Sequence, residues 1–260
     1  MAAPQQSDEG LPFCADHRTL PWNAPLQWLR LGWQDLRSAP RTSISFGLIM
    51  VLLSYAITAA AWYLGNLGLY LGVLSGFVFL GPILAMTLYA TSARLAGGAP
   101  VSIRRSLHDA GRTLGDAAVF ALILLVVFLV WARAATMIHV FFPVGGEPDW
   151  RDWLTFFGIG TSVGALFCAF VFMASAFSLP MMLDRRVDTV TAVITSVNAT
   201  LRNKPAMAFW ALCIGGFVAI GTLTGYLGFA LLLPWIGHAT WHGYKQTIDA
   251  SPWPSRRPSG

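Results

Sequence analysis

Long apolar runs alternate with short basic segments along this chain. Six of these runs approach or exceed the roughly 20 residues needed to cross a hydrocarbon layer. They cover about residues 44–64, 67–90, 117–137, 154–182, 205–223 and 225–244. The connections after the first and fifth runs are very short, so consecutive helices should pair. The pattern predicts an all-α polytopic membrane protein with about six transmembrane helices in three consecutive helix pairs.

Composition supports the bilayer as the solvent. Hydrophobic residues make up 55% and charged residues 11% of the 260 positions, and the mean hydropathy is +0.59. Soluble domains carry about 25% charged residues, so this chain cannot cover its apolar surface with polar side chains. We therefore expect a lipid bilayer as its partner, and we interpret the net charge of +5 as topology rather than nucleic-acid binding.

The basic residues cluster before the first run, after the second and fourth runs, and after the last. By the positive-inside rule, both termini then face the cytoplasm of a plasma membrane. The first 40 residues lack the continuous apolar core of a cleavable signal. We divide the chain into a flexible N-terminal tail (1–23), an interfacial amphipathic helix (24–40), a six-helix transmembrane domain (41–246) and a C-terminal tail (247–260).

Two segments are amphipathic rather than apolar. In residues 24–40, the apolar side chains fall on one helical face, and Arg30 and Arg37 lie away from it. In residues 94–112, Arg104 and Arg105 are interspersed with apolar residues. Such patterns favour helices lying in the membrane interface, with these four arginines on lipid headgroups. For residues 24–40, packing on the protein's own surface is an equal alternative.

Glycine and proline mark the expected helix contacts and ends. Helix packing is predicted at two rows of glycines spaced by four residues, because such rows let another helix approach closely; they are Gly68, Gly72 and Gly76 in the second run, and Gly160 and Gly164 in the fourth. Pro82, Pro180 and Pro234 each follow an apolar lead-in near the expected cytoplasmic end of an out-to-in helix. Proline bends helices, so these sites suggest a threefold parallel repeat.

His238 and His242 are the one pair of histidines at helical spacing. Side chains four residues apart on a helix can share a metal ion, which makes these two residues candidate metal or haem ligands. Further ligands could come only from Cys14, His17, His108 or His139. The alternative is that both histidines belong to an interfacial belt and bond backbone carbonyls or lipid headgroups.

No catalytic motif is present in the sequence. It contains no GxxxxGK[ST], GxGxxG or HExxH pattern, and its GxSxG match, Gly160 to Gly164, lies inside an expected apolar span rather than at a strand-to-helix turn. The expected spans hold no central carboxylate of the kind that coupled carriers use. We therefore expect no enzymatic activity, no catalytic residues and no bound cofactor.

Several segments together resemble a known family. They are Trp28-Leu29 with Gly32-Trp33-Gln34-Asp35-Leu36, Gly81-Pro82, Leu179-Pro180-Met181-Met182-Leu183-Asp184-Arg185 and the stretch from Leu233 to His242. The chain is similar to uncharacterised bacterial inner-membrane proteins with a domain of unknown function, some of which are labelled cytochrome c oxidase subunit I. That label does not fit the residues, because a haem-copper subunit needs more histidine ligands than the five histidines present here.

Three functional hypotheses follow. The first is a non-enzymatic accessory or assembly subunit of a larger respiratory or photosynthetic membrane complex, with other integral membrane subunits as partners. The second is a small transporter or channel for a neutral or lipid-like solute, with a cavity lined by hydroxyls such as those of Ser54, Thr58, Ser75, Ser162 and Ser175. The third is metal or haem handling at His238 and His242.

Overall fold

The computed structural model describes residues 12–65, 84–140 and 149–256. Most of these residues are helical, so the predicted all-α class is confirmed. The helices are α1 (Ala24–Ser38), α2 (Pro40–Leu64), α3 (residues 84–96), α4 (Ile103–Gly111), α5 (Leu114–Val140), α6 (Trp150–Ser175), α7 (Ser178–Asp184), α8 (Thr189–Arg202), α9 (Lys204–Leu223) and α10 (Phe229–Thr247). Two short strands, β1 (Asp16–His17) and β2 (Ile248–Asp249), pair antiparallel.

Four stretches of the described chain are long and apolar enough to cross a membrane. They are Pro40–Tyr63, Leu114–Ala135, Trp150–Asp184 and Lys204–Leu223, which match the first, third, fourth and fifth predicted spans. Most of the second predicted span lies outside the described residues, together with Gly68, Gly72, Gly76 and Pro82. Helix α10, predicted as the sixth span, is not among the four, because its second half carries buried polar side chains.

Local sequence explains where the spanning helices begin and end. Pro40 occupies the first turn of α2, where a missing N–H costs no hydrogen bond, and Gly65 ends this helix in the left-handed conformation with φ of 53°. Helix α6 begins with a capping box. The Asp149 side chain accepts a hydrogen bond from the backbone N–H of Asp152, and the Asp152 side chain accepts one from the backbone N–H of Asp149.

The tightest packing lies at one end of the molecule. We call this cluster the basal core, and it comprises Trp28, Phe177, Met181, Met182, Trp210 and Tyr244, each no more than 2% exposed. The ring of Trp28 lies edge-on to Trp210 at a centroid distance of 5.6 Å and to Phe177 at 6.3 Å. Helices α1, α7, α9 and α10 therefore meet in one aromatic and methionine-rich layer.

Helix α1 packs on the protein rather than lying free in the membrane interface. Trp28 is fully buried, and a Cβ on Gly32 would lie 2.6 Å from the backbone nitrogen of Ala239. Only glycine therefore permits this approach of α1 to α10. Of the two alternatives for residues 24–40, the structure supports packing on the protein's own surface.

Helix α2 also approaches α10 closely, next to a backbone carbonyl that Pro234 leaves without its usual helical hydrogen bond. Proline lacks an N–H, so Pro234 cannot bond the carbonyl of Ala230 four residues earlier. A Cβ on Gly47 would lie 2.0 Å from that carbonyl oxygen. The glycine thus brings the backbone of α2 against the carbonyl group that the proline leaves without its helical partner.

The prolines do not mark equivalent positions of a repeat among the described residues. The chain turns at Ala176 and Phe177, and Pro180 lies in the first turn of the separate, wholly buried α7. Pro234 instead lies inside the continuous α10, six residues into that helix. The expectation that each proline lies near the end of an out-to-in helix is therefore not met by Pro234, which packing against Gly47 accommodates within α10.

Both tails are packed where the structure describes them, in contrast to the flexibility expected for residues 1–23. Ala15 is 3% exposed, and its backbone N–H donates to Thr195 Oγ1 at 3.1 Å. The pairing of β1 with β2 then brings the two tails side by side, and Trp253 is 3% exposed. The two tails therefore leave the helical body at the same end.

Asp188 starts helix α8 as an N-cap. Its side chain accepts a hydrogen bond from the backbone N–H of Thr191 at 2.9 Å. Partial burial acts to raise the pKa of Asp188, but hydrogen bonds from Thr191 and the neighbouring amides outweigh it, so this pKa lies below its ordinary value.

Candidate functional site

His238 joins three helices in the interior. It is fully buried, with Nε2 at 2.8 Å from Ser43 Oγ of α2 and Nδ1 at 2.7 Å from Ser92 Oγ of α3. Both serine side chains are also fully buried. The prediction that His238 belongs to an interfacial belt is therefore wrong, because both of its ring nitrogens bond hydroxyls inside the protein.

A second hydrogen bond of Ser43 determines which groups donate and which accept around His238. The Ser43 hydroxyl donates to the backbone carbonyl of Ala39 at 2.9 Å, and a hydroxyl has only one hydrogen to donate. Ser43 Oγ then accepts from His238 Nε2–H, while the Ser92 hydroxyl donates to Nδ1. The arrangement satisfies every group with a neutral imidazole, protonated on Nε2.

His242, one turn later, faces a different partner. Its Nε2 lies 2.8 Å from Asp35 Oδ2 of α1, and both side chains are mostly buried, with exposed fractions of 18% and 15%. The pair ties the last part of α10 to the end of α1. Like His238, His242 therefore holds a neighbouring helix against α10.

The two histidines do not form a metal centre with other described residues. Across the described ranges, no group of three His, Cys, Asp or Glu side chains could hold a metal ion. The ring nitrogens of His238 are occupied by serines, and Cys14 Sγ accepts from Asn198 at 3.5 Å. The contacts of His238 and His242 are those of a polar cluster that links helices.

A second polar cluster surrounds Asp184 at the end of α7. This residue is 7% exposed, and its Oδ2 accepts hydrogen bonds from Tyr244 Oη at 2.9 Å and from Lys245 Nζ at 3.1 Å. Its backbone carbonyl accepts from the N–H of Arg256 at 3.0 Å. The carboxylate therefore connects α7 to α10, and the backbone connects α7 to the C-terminal tail.

A basic cleft opens beside this cluster. Its volume is about 500 Å³, and its lining includes Arg94, His108, Asp109, Arg112 and Arg256. A neighbouring cleft of about 560 Å³ is lined by Ser102, Arg104, Arg105 and His108. His108 borders both clefts, so they adjoin at this residue, and together they are called the basic groove.

The arginines expected at lipid headgroups are all exposed. Arg30 and Arg37 lie on the outer face of α1, where the Arg37 guanidinium sits 4.9 Å from the Trp33 ring centroid. Arg104 and Arg105 lie on α4, beside the basic groove. These positions are compatible with headgroup contact, which stays a prediction.

The glycines of the fourth predicted span have little packed against them. No described atom lies within 4 Å of the position a Cβ would take at Gly160, and Gly164 meets only Trp131 Nε1, at 4.0 Å. Close helix contact through these two glycines stays a prediction. Among the described glycines, close approach to the backbone of another helix occurs instead at Gly32 and Gly47, which belong to no glycine row.

The hydroxyls proposed to line a solute path bond within their own helices. Ser54 donates to the Met50 carbonyl, Ser162 to Gly158 and Ser175 to Val171, at 2.7 to 2.8 Å. Thr58 bonds the Ser54 carbonyl at 2.9 Å and also Tyr226 Oη at 3.2 Å, and Ser75 lies outside the described residues. This is how hydroxyls are ordinarily accommodated in apolar helices, and it requires no solute.

Sequence reasoning missed the partners that give the histidines their role. Ser43, Ser92 and Asp35 lie between 146 and 207 residues from their histidine partners, and nothing in the sequence pairs them. No clear signal marks the two serines, because Ser43 follows Arg41 and Thr42, and Ser92 lies between Thr91 and Arg94, at the polar ends of apolar segments.

The fold and these polar clusters define an all-α integral membrane protein with a packed polar layer at one end of its spans. Residues 69–184 match the model of a family described as "Predicted integral membrane protein (DUF2189)", which confirms the resemblance to uncharacterised membrane proteins seen in the sequence. The match includes Ser92 and Asp184, but not His238 or Asp35. No curated protein and no solved structure matches the chain.

Proposed function

We propose that this protein is a non-enzymatic subunit of a larger complex in the bacterial inner membrane, where it serves as an accessory or assembly component. The observation that carries the proposal is an exposed face of small residues on the spanning helix α6. Both termini would face the cytoplasm, as the distribution of basic residues predicts.

Most of the spanning surface is not covered by this chain. Only 22% of the apolar window of Pro40–Tyr63 and 17% of that of Leu114–Ala135 is buried. Lipid tails can cover such surface without cost, so exposure alone does not call for a partner. The size of the exposed residues on each helix indicates whether lipid or another protein covers that helix.

Helices α5 and α6 differ in this respect. The exposed face of α5 includes Leu122, Val126 and Leu129, which are large apolar residues suited to acyl chains. Helix α6 also exposes large residues such as Leu154, Phe157 and Leu166. It additionally exposes a row of small residues with helical spacing, which consists of Gly158, Ser162, Ala165 and Ala169. Small residues are enriched where transmembrane helices pack together, because they allow close backbone approach. This face suits a transmembrane helix of another subunit.

The basal core supports a docking function. Because α6 leads through Phe177 into the wholly buried α7, one end of the spanning helix is anchored in the most tightly packed part of the protein. A helix fixed in this way presents its face in one orientation, which lowers the entropic cost of binding a partner.

The proposal can be tested by filling the small face. In the Gly158→Leu, Ala165→Leu variant, two large side chains replace small ones at exposed positions. The full chain would be extracted from native membranes into polymer nanodiscs and analysed on native gels with mass spectrometry. We expect the wild-type protein to migrate with other integral membrane proteins and the variant to migrate largely alone.

Val126→Leu, which enlarges an exposed residue on α5, is the matched control and should keep the complex. The Gly158 substitution should not lower the unfolding midpoint, because no described atom lies within 4 Å of its Cβ position. Migration of the wild-type protein alone, or an assembly made only of copies of this chain, would contradict the proposal. An unaffected complex in the double variant would rule out this face of α6.

Transport of a neutral solute is the other function to which the sequence pointed. No contact among the described residues favours it, since the hydroxyls of Ser54, Ser162 and Ser175 all bond their own helices.

A further inference from the structure

The basic cleft combines cationic and apolar walls. Arg94, His108, Arg112 and Arg256 line it together with Ala90 and Ala93 of α3, around a volume of about 500 Å³. Its elements come from three parts of the chain, because α3, α4 and the C-terminal tail meet here. The cleft is therefore formed by the tertiary structure and is not a run of basic residues in the sequence.

The carboxylates near the cleft are already engaged. Asp109 Oδ2 accepts from Arg94 Nε at 2.7 Å, and its Oδ1 lies 3.7 Å from His108 Nδ1. Asp116 pairs with Arg256 Nη2 at 2.6 Å. Across the described ranges, no carboxylate lies within ion-pair distance of Arg112, so the cleft keeps an excess of positive charge.

Arg256 shapes the cleft rather than offering its charge to a ligand. Its Nη1 donates to the Arg112 carbonyl at 3.2 Å and its Nε to the Arg185 carbonyl at 3.3 Å, in addition to the ion pair with Asp116. All three nitrogens of this guanidinium are thus used within the protein. The exposed Arg112 guanidinium and the 68% exposed His108 side chain are available to meet an anion, whereas Arg94 is held by its ion pair with Asp109.

The cleft lies beside the start of a candidate membrane span. Arg112 lies two residues before Leu114, which is the first residue of the candidate span Leu114–Ala135. Two residues cover at most about 7 Å, and the headgroup layer extends roughly 5–7 Å beyond the hydrocarbon on each side. The guanidinium of Arg112 is therefore at the depth where phospholipid phosphates lie, and the alanines of α3 offer apolar surface beside it.

We propose that this cleft binds the phosphate group of an anionic phospholipid, with Arg112 and His108 as its ligands. The planar guanidinium of Arg112 can donate two parallel hydrogen bonds to phosphate oxygens, and His108 Nε2 adds a third. Arg104 and Arg105, in the adjoining part of the groove, attract the negative charge over a longer range. The site does not depend on a partner subunit.

A free phosphate has the same anionic oxygens, so the experiment separates the two sources. Detergent-purified full-length protein would be mixed with equal amounts of phosphatidylglycerol and phosphatidylcholine, and retained lipid measured by native mass spectrometry. A parallel titration would use inorganic phosphate as the competitor. We expect phosphatidylglycerol to be retained about tenfold over phosphatidylcholine, which corresponds to about 1.4 kcal/mol, and inorganic phosphate to displace little of it at equal concentration.

The variant Arg112→Gln, His108→Gln should lose this preference, while the control Arg202→Gln, an exposed arginine of α8 outside both clefts, should keep it. Both substituted side chains are exposed, so the unfolding midpoint should not move. Equal retention of the two lipids by the wild-type protein, or an unchanged preference in the double variant, would overturn the proposal. Displacement by inorganic phosphate at equal concentration would overturn the assignment to lipid.

Discussion

Replacing Ser92 with alanine removes one hydroxyl from the centre of the protein and tests the His238 network. Ser92 is fully buried, and its hydroxyl donates to His238 Nδ1 at 2.7 Å. In the alanine variant, this ring nitrogen becomes an acceptor without a donor. Water cannot replace the donor, because the imidazole is also fully buried and the deleted oxygen leaves less room than a water molecule needs.

The expected loss of stability follows from that unpaired nitrogen. A buried polar group left without its partner costs about 1–3 kcal/mol, and we expect Ser92→Ala to lower the free energy of unfolding by this amount. The exposed Ser38 donates only to the Gln34 carbonyl of its own helix, at 2.8 Å. Ser38→Ala is therefore the matched control and should change stability by less than about 0.5 kcal/mol.

Equilibrium unfolding by sodium dodecyl sulfate, starting from mild detergent micelles, measures both variants. A double-mutant cycle with His238→Ala should show a coupling energy of about 0.5–3 kcal/mol, as for groups in one hydrogen-bond network. Equal midpoints for Ser92→Ala and Ser38→Ala, or strict additivity in the cycle, would refute the conclusion that Ser92 is a required donor to His238.

Two further substitutions address helix contact and capping. Gly47→Ala would place a Cβ 2.0 Å from the Ala230 carbonyl oxygen, so α2 and α10 must separate and stability should fall by about 1–3 kcal/mol. Gly115→Ala, with no described atom within 4 Å, should instead stabilise α5 by about 0.5–1 kcal/mol. Asp188→Ala removes an N-cap and should cost about 1 kcal/mol near neutral pH. Because the folded-state pKa of Asp188 is lowered, its stabilisation is present above the unfolded-state pKa of about 3.9 and is lost as pH falls through the folded-state value.

Thermal or detergent unfolding measures each of these changes. Tolerance of alanine at position 47 comparable to that at position 115 would contradict the close approach of α2 and α10. A difference between the wild-type protein and Asp188→Ala that stays constant down to pH 3 would contradict a charged N-cap.

The sequence predicted the spanning helices better than the polar contacts between them. Four predicted spans are confirmed as long apolar helices and remain candidate membrane spans, because an apolar run of sufficient length has few alternatives to a helix in a bilayer. The position of His242 on a helix was also correct. Its partner Asp35 could not be predicted, since the two residues are 207 positions apart and their contact depends on how α1 lies against α10.

The helix contacts were the least predictable feature. Glycines at four-residue spacing suggested where helices would meet, yet Gly32 and Gly47 make the close contacts described here and neither belongs to such a row. A glycine permits close approach but does not select the neighbour. The residue that faces the glycine determines where the two helices meet. Beside Gly47 that residue is Ala230, whose carbonyl has no intrahelical donor because Pro234 lacks an N–H.

By itself, the amino-acid sequence determined that this protein is helical and lies in a membrane, because hydrophobicity and helix length are properties of contiguous residues. The tertiary structure alone decided that His238 is a buried link between α2, α3 and α10, that Asp184 joins α7 to α10, and that Arg112 lies in a basic cleft. Each of these features arises from side chains far apart in the chain, and only helix packing brings them within hydrogen-bonding distance or into one cavity.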